Sequence, residues 1–347
     1  MEWDFHRRTH SWLIGLLAVF LYGAVGHSAA LPERSDELRA LVEKYRRPTA
    51  VPAPANNPIS PKKVALGQAL FFDPRLSGSG AISCATCHNP GLAWGDGLPK
   101  GIGHMGTRLD RHTPTILNVA YGEPYFWDGR AATLEEQAKG PMESGKEMNM
   151  QAADLVRRVR DIPGYSAAFK RIFPAQPISI DLIAAVIATF ERTIISRDAP
   201  FDRWINGDDH AISPSAVRGF VLFNGKANCA ACHQGWRMTD DGFHDAGLPD
   251  LDRGRALIAP GIEQLEQAFK TPTLRNIDQR APYMHDGSLA TLDSVIDHYD
   301  GGFVRRPSLD SNMRPLGLTA DEKRDLLAFL YTLTSVDAPI TMNTLPH

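Results

Sequence analysis

The amino-acid sequence predicts a mostly α-helical fold made of two homologous domains. Apolar residues recur at helical spacing, most clearly from Asp181 to Ser196, and no segment shows a convincing strand-like alternation of apolar and polar residues. A long segment also repeats itself without gaps at a constant offset of 158 residues, the difference between positions 113 and 271. The 347 residues are enough for two domains of ordinary size.

Three predicted helices begin with recognisable capping residues. Ser60-Pro61 and Ser213-Pro214 place serine at the N-cap and proline at the first helical position, each ahead of an apolar run. Thr319 and Glu322 form a capping box that begins the last helix. Each of the first two helices precedes a pair of cysteines, so we expect its apolar face to pack on the group that the cysteines hold.

The repeat continues after each cysteine pair. Its matching members are Thr113-Pro114-Thr115, Asn118, Pro124-Tyr125, Trp127-Asp128-Gly129 and Ala132-Thr133-Leu134 in the first copy, and Thr271-Pro272-Thr273, Asn276, Pro282-Tyr283, His285-Asp286-Gly287 and Ala290-Thr291-Leu292 in the second. Because the copies match without an insertion or deletion, they predict the same local fold in both domains.

The four cysteines lie in two short strings, CATCH and CAACH. A disulfide framework has no use for a histidine directly after each pair, and a zinc ribbon needs its two pairs much closer together. The C-x-x-C-H pattern instead predicts covalent haem c, with two thioether bonds and an adjacent histidine that reaches the iron. We therefore expect two covalently bound haem c groups in two cytochrome c-like domains. The attachment residues are Cys84, Cys87 and His88 in the first domain, and Cys229, Cys232 and His233 in the second.

The first thirty residues predict a secretory signal peptide. Arg7 and Arg8 precede an apolar stretch too short to span a bilayer comfortably, and Ser28-Ala29-Ala30 supplies small residues for cleavage. An uncleaved N-terminal anchor is the alternative. The predicted organisation is a signal peptide at 1–30, an N-terminal extension at 31–58, the first haem domain at 59–200 and the second at 201–347.

Composition and hydropathy exclude two classes of partner. The net charge is −3 and no basic block occurs, so nucleic acid is not an expected partner. No segment after the signal peptide is apolar over the length needed to cross a membrane, so we expect no stable membrane insertion of the mature chain. Cleavage of the signal peptide would release the protein into the periplasm.

The differences between the two copies predict different roles for the two haems. Trp127 of the first copy is replaced by His285 in the second, and Pro141 by Tyr299 at the same offset. Tyrosine can bind ferric iron as phenolate, whereas proline has no side-chain ligand. Tyr299 would then occupy the remaining coordination position of one iron, and the other iron would keep an open position. The haem with the open position is suited to chemistry, and the haem bound by Tyr299 is suited to electron storage.

With these residues in view, the chain resembles the bacterial di-haem cytochrome c peroxidase family, and within it the MauG-type branch. The resemblance runs from about Pro61 to Tyr331. It is carried by Phe126-Trp127-Asp128-Gly129-Arg130, Gln137, Pro141, Glu147-Met148-Asn149, Lys270-Thr271-Pro272-Thr273-Leu274-Arg275-Asn276 and Pro282-Tyr283-Met284-His285-Asp286-Gly287.

The resemblance implies a role for each site residue. His88 would be the proximal ligand of the haem that reacts with peroxide, and His233 that of the electron-transfer haem. Trp127 would relay electrons between the haems, and Tyr299 would ligate the second iron, as tyrosine does in the MauG branch. The residues implied for the open distal pocket are Gln137, Pro141 and Glu147, with Glu147 as the general acid–base.

Two positions depart from the MauG pattern. His104 lies sixteen residues after His88, the spacing at which the peroxidase branch places a distal histidine that blocks the resting enzyme. His112 stands where the family usually has an asparagine that helps to bind an inter-haem calcium. Backbone carbonyls of Arg280 and Pro282 would be the other contributors to that ion. Imidazole is a poor ligand for a cation that prefers oxygen.

Alternatives remain open for several of these residues. Glu147 and Gln137 could be ordinary solvated side chains, and His104 could be a solvent-exposed loop residue. The sixth ligand of the second haem could instead be one of His298, Met284, Met238 and Met313.

The implied activity is reduction of hydrogen peroxide coupled to oxidation of a protein substrate. One alternative is a cytochrome c peroxidase that removes peroxide with electrons from a small redox protein. A second alternative is a non-catalytic di-haem electron carrier.

Overall fold

The computed structural model describes residues 35–337, 339–341 and 344–347, and the predicted signal peptide lies outside them. The predominance of helix confirms the predicted fold class. No helix in the described residues has both the length and the apolar character needed to cross a membrane. The α-helices are α1 (Asp36–Glu43), α2 (Pro61–Phe72), α3 (Cys84–Cys87), α4 (Leu134–Glu143), α5 (Ala152–Asp161), α6 (Pro163–Ile172), α7 (Ile180–Glu191), α8 (Pro200–Ile205), α9 (Pro214–Asn224), α10 (Leu292–Asp297) and α11 (Ala320–Tyr331).

The predicted helix starts are confirmed. The hydroxyl of Ser60 accepts a hydrogen bond from the backbone N–H of Lys63 at the start of α2, and Ser213 caps α9 in the same way. Thr319 and Glu322 form the expected capping box ahead of α11. These side chains satisfy N–H groups that the first turn of a helix leaves without a backbone partner.

The helix predicted to run from Asp181 to Ser196 ends earlier, at Glu191. The chain leaves the helix because its next residues bind the first copy of the repeat. The N–H of Asn118 donates to the carbonyl of Ile194 (2.8 Å), and the Asn118 side chain accepts from the N–H of Ser196 (3.0 Å). Tertiary hydrogen bonds therefore override the apolar periodicity at this end.

The strands are short and lie beside the second cysteine pair. β1 (Phe243–His244) pairs antiparallel with β2 (Phe269–Lys270). With two residues each, they fasten the loop after His233 to the segment that leads into the second Thr-Pro-Thr string.

The described residues form two large apolar cores and a small third cluster around Leu134. Helices α2 and α4 to α7 form the first core, against which Cys84 packs, and helices α1 and α8 to α11 form the second, against which Cys229 packs. The most deeply buried large side chains include Phe71, Leu134, Tyr165 and Phe169 in the first half, and Phe201, Phe220, Phe223 and Phe329 in the second. The boundary between residues 200 and 201 stays a prediction.

Each core contains a close helix crossing at a glycine. A Cβ atom on Gly67 of α2 would lie 1.9 Å from the carbonyl oxygen of Val186 on α7. One on Gly219 of α9 would lie 1.9 Å from that of Asp325 on α11. Only a residue without a side chain permits this approach. The same crossing in both halves supports a common origin for the two domains.

We expect Gly219→Ala to lower the free energy of unfolding by about 1–3 kcal/mol, because the added methyl group forces α9 and α11 apart. Urea unfolding of the haem-loaded protein measures the change. Val221→Ala, on the exposed side of the same helix, is the matched control and should be close to neutral. Equal stability of Gly219→Ala and the control would show that the helices separate without cost.

Backbone hydrogen bonds join the repeated loops of the two domains. The N–H of His112 donates to the carbonyl of His285 (2.7 Å), and the N–H of Lys270 donates to the carbonyl of Trp127 (2.8 Å). These main-chain hydrogen bonds hold the two halves together at Trp127 and His285, a position at which the two copies of the repeat differ.

The ends of the described chain cross over between the cores. Val42 of α1 and the adjacent Tyr45 are buried in the second core, where the Tyr45 hydroxyl donates to Asn224 (2.5 Å). At the other end, the carbonyl of His347 accepts a hydrogen bond from the N–H of Gly164 in the first half (2.9 Å). Each terminus therefore completes the domain that is distant from it in sequence.

Candidate functional site

The second cysteine pair faces a large apolar cavity. The cavity contains about 1530 Å³ of space that no protein atom fills, part of it open to solvent, and Cys229, Cys232, His233 and Tyr299 all line it. Its wall is mostly aliphatic and aromatic, which suits a porphyrin face. The structure therefore brings Tyr299 into the same cavity as His233, as the spacing predicts.

The two predicted proximal histidines are held in the same way. Nδ1 of His233 donates to the carbonyl of Met238 (2.9 Å), and Nδ1 of His88 donates to the carbonyl of Trp94 (3.2 Å). Burial lowers the pKa of both rings. A neutral imidazole that donates from Nδ1 carries its lone pair on Nε2, the arrangement that a metal-ligating histidine requires.

The four cysteines are free and half-buried. Cys84 and Cys87 lie in the single turn α3, and Cys229 begins a similar short turn in the second half. Each pair of thiols is followed directly by a histidine whose Nδ1 donates to a backbone carbonyl. This donor set fits covalently bound haem c at both sites.

Tyr299 follows α10 in a turn widened relative to an α-helix. Burial raises the pKa of its hydroxyl, with smaller contributions from Cys232 and Cys229. A buried phenol of this kind stays neutral unless a cation lies opposite it.

Two of the alternative ligands for the second haem, His298 and Met238, do not line the second cavity. Nε2 of His298 donates to the carbonyl of Ala246 (2.8 Å). The carbonyl of Met238 accepts the Nδ1 hydrogen bond of His233. Met284 and Met313 do line the cavity, so Tyr299 has two competitors there.

Trp127 lies between the two halves. It lines the second cavity and also a neighbouring cavity formed by both Thr-Pro-Thr strings. Its indole N–H donates to the carbonyl of His112 (2.8 Å), and its ring meets that of His285 edge to face at 6.4 Å. These contacts hold the ring in one orientation between the domains.

The residues proposed for the first distal pocket form one group. Gln137 and Pro141 are four residues apart on α4 and so share a face. The chain then folds back, and the N–H of Met148 donates to the carbonyl of Pro141 (3.0 Å), which places Glu147 beside the end of the helix. Burial raises the pKa of Glu147, partly offset by a hydrogen bond with Ser144.

His104 lies against this group. The N–H of His104 donates to the carbonyl of Lys146 (2.9 Å), next to Glu147. A Cβ atom on the preceding Gly103 would lie 2.0 Å from the same carbonyl, so the loop needs glycine there. Nδ1 of His104 is buried and has no hydrogen-bond partner among the described residues. His104 differs in this respect from His88 and His233, whose Nδ1 atoms both donate to backbone carbonyls.

Sequence reasoning missed a charged group on the wall of the second cavity. His244 donates from Nδ1 to Asp310 (2.6 Å) and from Nε2 to Asp240 (2.9 Å). The hydrogen bond to Asp240 is the main cause that raises the pKa of His244 to about 11. Asp240, His244 and Cys232 also lie close enough to share a metal ion, but both ring nitrogens of His244 already have partners.

A second residue that sequence reasoning missed is Glu191, at the end of α7. It is buried, burial raises its pKa to about 8, and one carboxylate oxygen has no partner among the described residues. The sequence shows only that an acidic residue stands at the end of an apolar helix, which does not by itself indicate a functional residue.

Comparison with known proteins assigns both halves of the chain. Residues 61–210 match the family described as di-haem cytochrome c peroxidase, and residues 216–334 match cytochrome c. The methylamine utilization protein MauG of Methylorubrum extorquens is 50% identical over 323 residues, which cover 92% of this chain and 91% of that protein. MauG of Methylophilus methylotrophus is 45% identical, with 92% and 94% covered.

A solved structure shows the same architecture. A MauG-like protein associated with microbial copper homeostasis superimposes with a TM-score of 0.75 at 34% identity. The match covers 83% of this chain and 95% of that protein.

Proposed function

The chain belongs to the di-haem cytochrome c peroxidase family, in its MauG-type branch, and from this membership we propose that it reduces hydrogen peroxide and oxidises a protein substrate at its surface. It is a peroxidase-type oxidoreductase with haem c cofactors. The observation that carries the proposal is the difference between the two sites. His233 shares a cavity with Tyr299, whereas the corresponding position in the first half is Pro141.

In this proposal the first site carries out the peroxide chemistry. The iron of a bound haem supplies the redox capacity, because it binds peroxide and accepts oxidising equivalents. Glu147 then moves a proton from one oxygen of hydrogen peroxide to the other, so that water can leave. Its raised pKa suits this exchange near neutral pH. Gln137 orients the peroxide by hydrogen bonding, and Pro141 keeps the pocket free of a side-chain ligand.

The second site stores an oxidising equivalent. A phenolate ligand is anionic and stabilises ferric and higher oxidation states, whereas a methionine favours reduced iron. Tyr299 would lose its proton when it meets the iron, since burial otherwise keeps the phenol neutral. Such a haem is suited to holding an oxidising equivalent and poorly suited to accepting electrons from a donor cytochrome.

Trp127 connects the two sites. Its aromatic system can pass an electron, and its contacts with His112 and His285 keep it fixed while it does so. Reduction of one hydrogen peroxide to two waters takes two electrons, which the proposal draws from the protein substrate. We place the reaction in the periplasm because residues 1–30 predict a signal peptide, outside the described part of the chain.

A second candidate function is removal of peroxide with electrons from a small redox protein. The position of His104 beside Glu147 favours it, because a histidine that closes the first haem at rest belongs to the peroxidase branch. The proposed cofactor set is two covalent haem c groups. The residues at the expected calcium position suit that ion poorly, as described below.

Low-temperature EPR of the ferric protein tests the proposal. We expect one high-spin and one low-spin signal, and a changed low-spin signal in Tyr299→Phe. Tyr331→Phe, on the exposed side of α11, is the matched control and should leave both signals unchanged.

A different EPR pattern supports the second candidate. Two low-spin signals in the wild type, one of which becomes high-spin in His104→Ala, would indicate a haem closed by His104. The exposed His210→Ala serves as control. If neither Tyr299→Phe nor His104→Ala alters a signal, both distal assignments are wrong.

A further inference from the structure

The cavity between the two haem sites contains the positions at which the family resemblance implies a calcium ion. His112, Arg280 and Pro282 all line it, together with the Thr-Pro-Thr strings of both halves. It contains about 990 Å³ of space that no protein atom fills, part of it open to solvent. Trp127 lies on the wall that this cavity shares with the second haem cavity.

The backbone carbonyls of Arg280 and Pro282 are oxygen donors, but the side chains of this cavity do not suit calcium. His112 donates from Nδ1 to the carbonyl of Leu98 (2.7 Å), so its remaining donor atom is a nitrogen. Asp241 is the one carboxylate among the described lining residues, and it is already paired with Lys270 (2.9 Å) and with Arg237. Calcium takes six to eight oxygen ligands and favours carboxylates. A wall with three cationic side chains and one carboxylate repels such an ion.

Arg280 supplies a positive charge in place of the ion. Its guanidinium donates to the backbone carbonyls of Thr273 and Asn276. No ion pair of the described residues includes Arg280, and the carboxylate that acts on it electrostatically is that of Asp278. Burial lowers the pKa of Arg280 to about 10, which still leaves it protonated at neutral pH.

The charge of Arg280 reaches both halves of the site. It contributes, after burial, to the lowered pKa of His112, which lies at the inter-haem position. Trp127 lines the same cavity as Arg280 and also the cavity of the second haem. The guanidinium therefore belongs to a cavity that adjoins both the inter-haem position and the second haem site.

We propose that Arg280 is the resident cation of the inter-haem cavity and that this protein binds no calcium there. Arg237, Lys270 and Arg280 together carry more positive charge than Asp241 neutralises, and the propionate carboxylates of a bound haem would offset the remainder. A guanidinium is suited to this task because it donates several hydrogen bonds in a fixed plane to carboxylates. The inference rests on the proposed two-haem site.

The first test measures metal content in the haem-loaded wild-type protein. The protein is incubated with millimolar calcium chloride, passed through a gel-filtration column and analysed for calcium and iron by mass spectrometry. We expect two irons and well below one calcium per chain, and an absorption spectrum that EGTA leaves unchanged. One retained calcium per chain, removed by EGTA with a spectral change, would overturn the inference.

The second test changes the charge. Arg280→Gln should shift the midpoint potential of the second haem to a more negative value, because loss of a nearby positive charge disfavours the reduced iron. Arg305→Gln, at an exposed position in the same half, is the control and should leave the potential unchanged. An unchanged potential in fully haem-loaded Arg280→Gln contradicts the inference.

The third test returns the site to a calcium-binding composition. His112→Asn combined with Arg280→Gln should gain one calcium per chain, whose removal lowers the potential of the second haem. Failure of this double variant to gain calcium would show that Arg280 and His112 do not exclude the ion. Haem content and reaction with peroxide are read on the same samples. A wild type that lacks the peroxide reaction would count against the proposed function, while calcium content and potential still decide the inference.

Discussion

We expect Glu147→Gln to lower the second-order rate constant for reaction with hydrogen peroxide by about 10²–10⁴-fold, the usual contribution of a positioned general acid–base. The amide has nearly the shape of the carboxyl group but cannot take up and return a proton. Glu147 is half-buried beside Pro141 and the His104 loop, where water does not easily replace it. Stopped-flow mixing of the ferric protein with peroxide measures the constant.

The matched control is Glu143→Gln, at the exposed end of α4. It changes the same functional group four residues away and should leave the rate constant within experimental error of the wild type. If Glu147→Gln behaved like this control, proton transfer would not involve Glu147, and water or another side chain would have to carry the proton.

The pH dependence gives a second readout of the same residue. The carboxylate is the form that accepts a proton, so the rate of the wild type should fall as the pH drops through the pKa of Glu147. Because burial raises that pKa, the fall should begin above the ordinary carboxyl range. Glu147→Gln should lack this acidic limb, whereas Glu143→Gln should keep it.

The second large effect concerns stability. Arg275→Met should lower the free energy of unfolding by about 3–5 kcal/mol, the usual result of breaking a buried ion pair. Arg275 and Asp202 are both fully buried, and Nη1 of Arg275 lies 2.8 Å from the Asp202 carboxylate. Arg275 also donates to the carbonyl of Trp236 (2.5 Å), three residues after His233. Urea unfolding with haem content as a parallel readout measures the loss.

Two further variants show whether burial is the cause. Arg253→Met breaks an exposed ion pair with Glu266 and should cost at most about 1 kcal/mol. The double variant Arg275→Met with Asp202→Asn removes both charges and should be less destabilised than Arg275→Met alone. A single variant as stable as the exposed control would mean that Arg47, 3.6 Å from Asp202, compensates for the lost partner.

The parts of the fold that were predictable from the sequence are those encoded within a few residues of one another. The haem attachment strings, the serine-proline caps and the capping box at Thr319 are of this kind. The gapless repeat also paired Pro141 with Tyr299, and in the structure Tyr299 lines the same cavity as the second cysteine pair.

The parts that could not be predicted depend on residues that meet only in the folded chain. The contact of His244 with Asp310 joins residues 66 positions apart. Arg280 was expected to contribute only a backbone carbonyl. Its side chain adds a third positive charge to a cavity that Lys270 and Arg237 also line, and the sequence does not show that these three residues meet. The early end of α7 likewise follows from hydrogen bonds with Asn118, which no local pattern records.

The crossed termini have a consequence for the order in which the protein is made. Helix α1 is among the first described segments to be synthesised, yet the core that buries Val42 is finished only when α11 has been added. In the first domain, in turn, the N–H of Gly164 donates to the carbonyl of His347. The second core therefore lacks α11, and the first domain lacks this backbone hydrogen bond, until residues 320–347 have been synthesised.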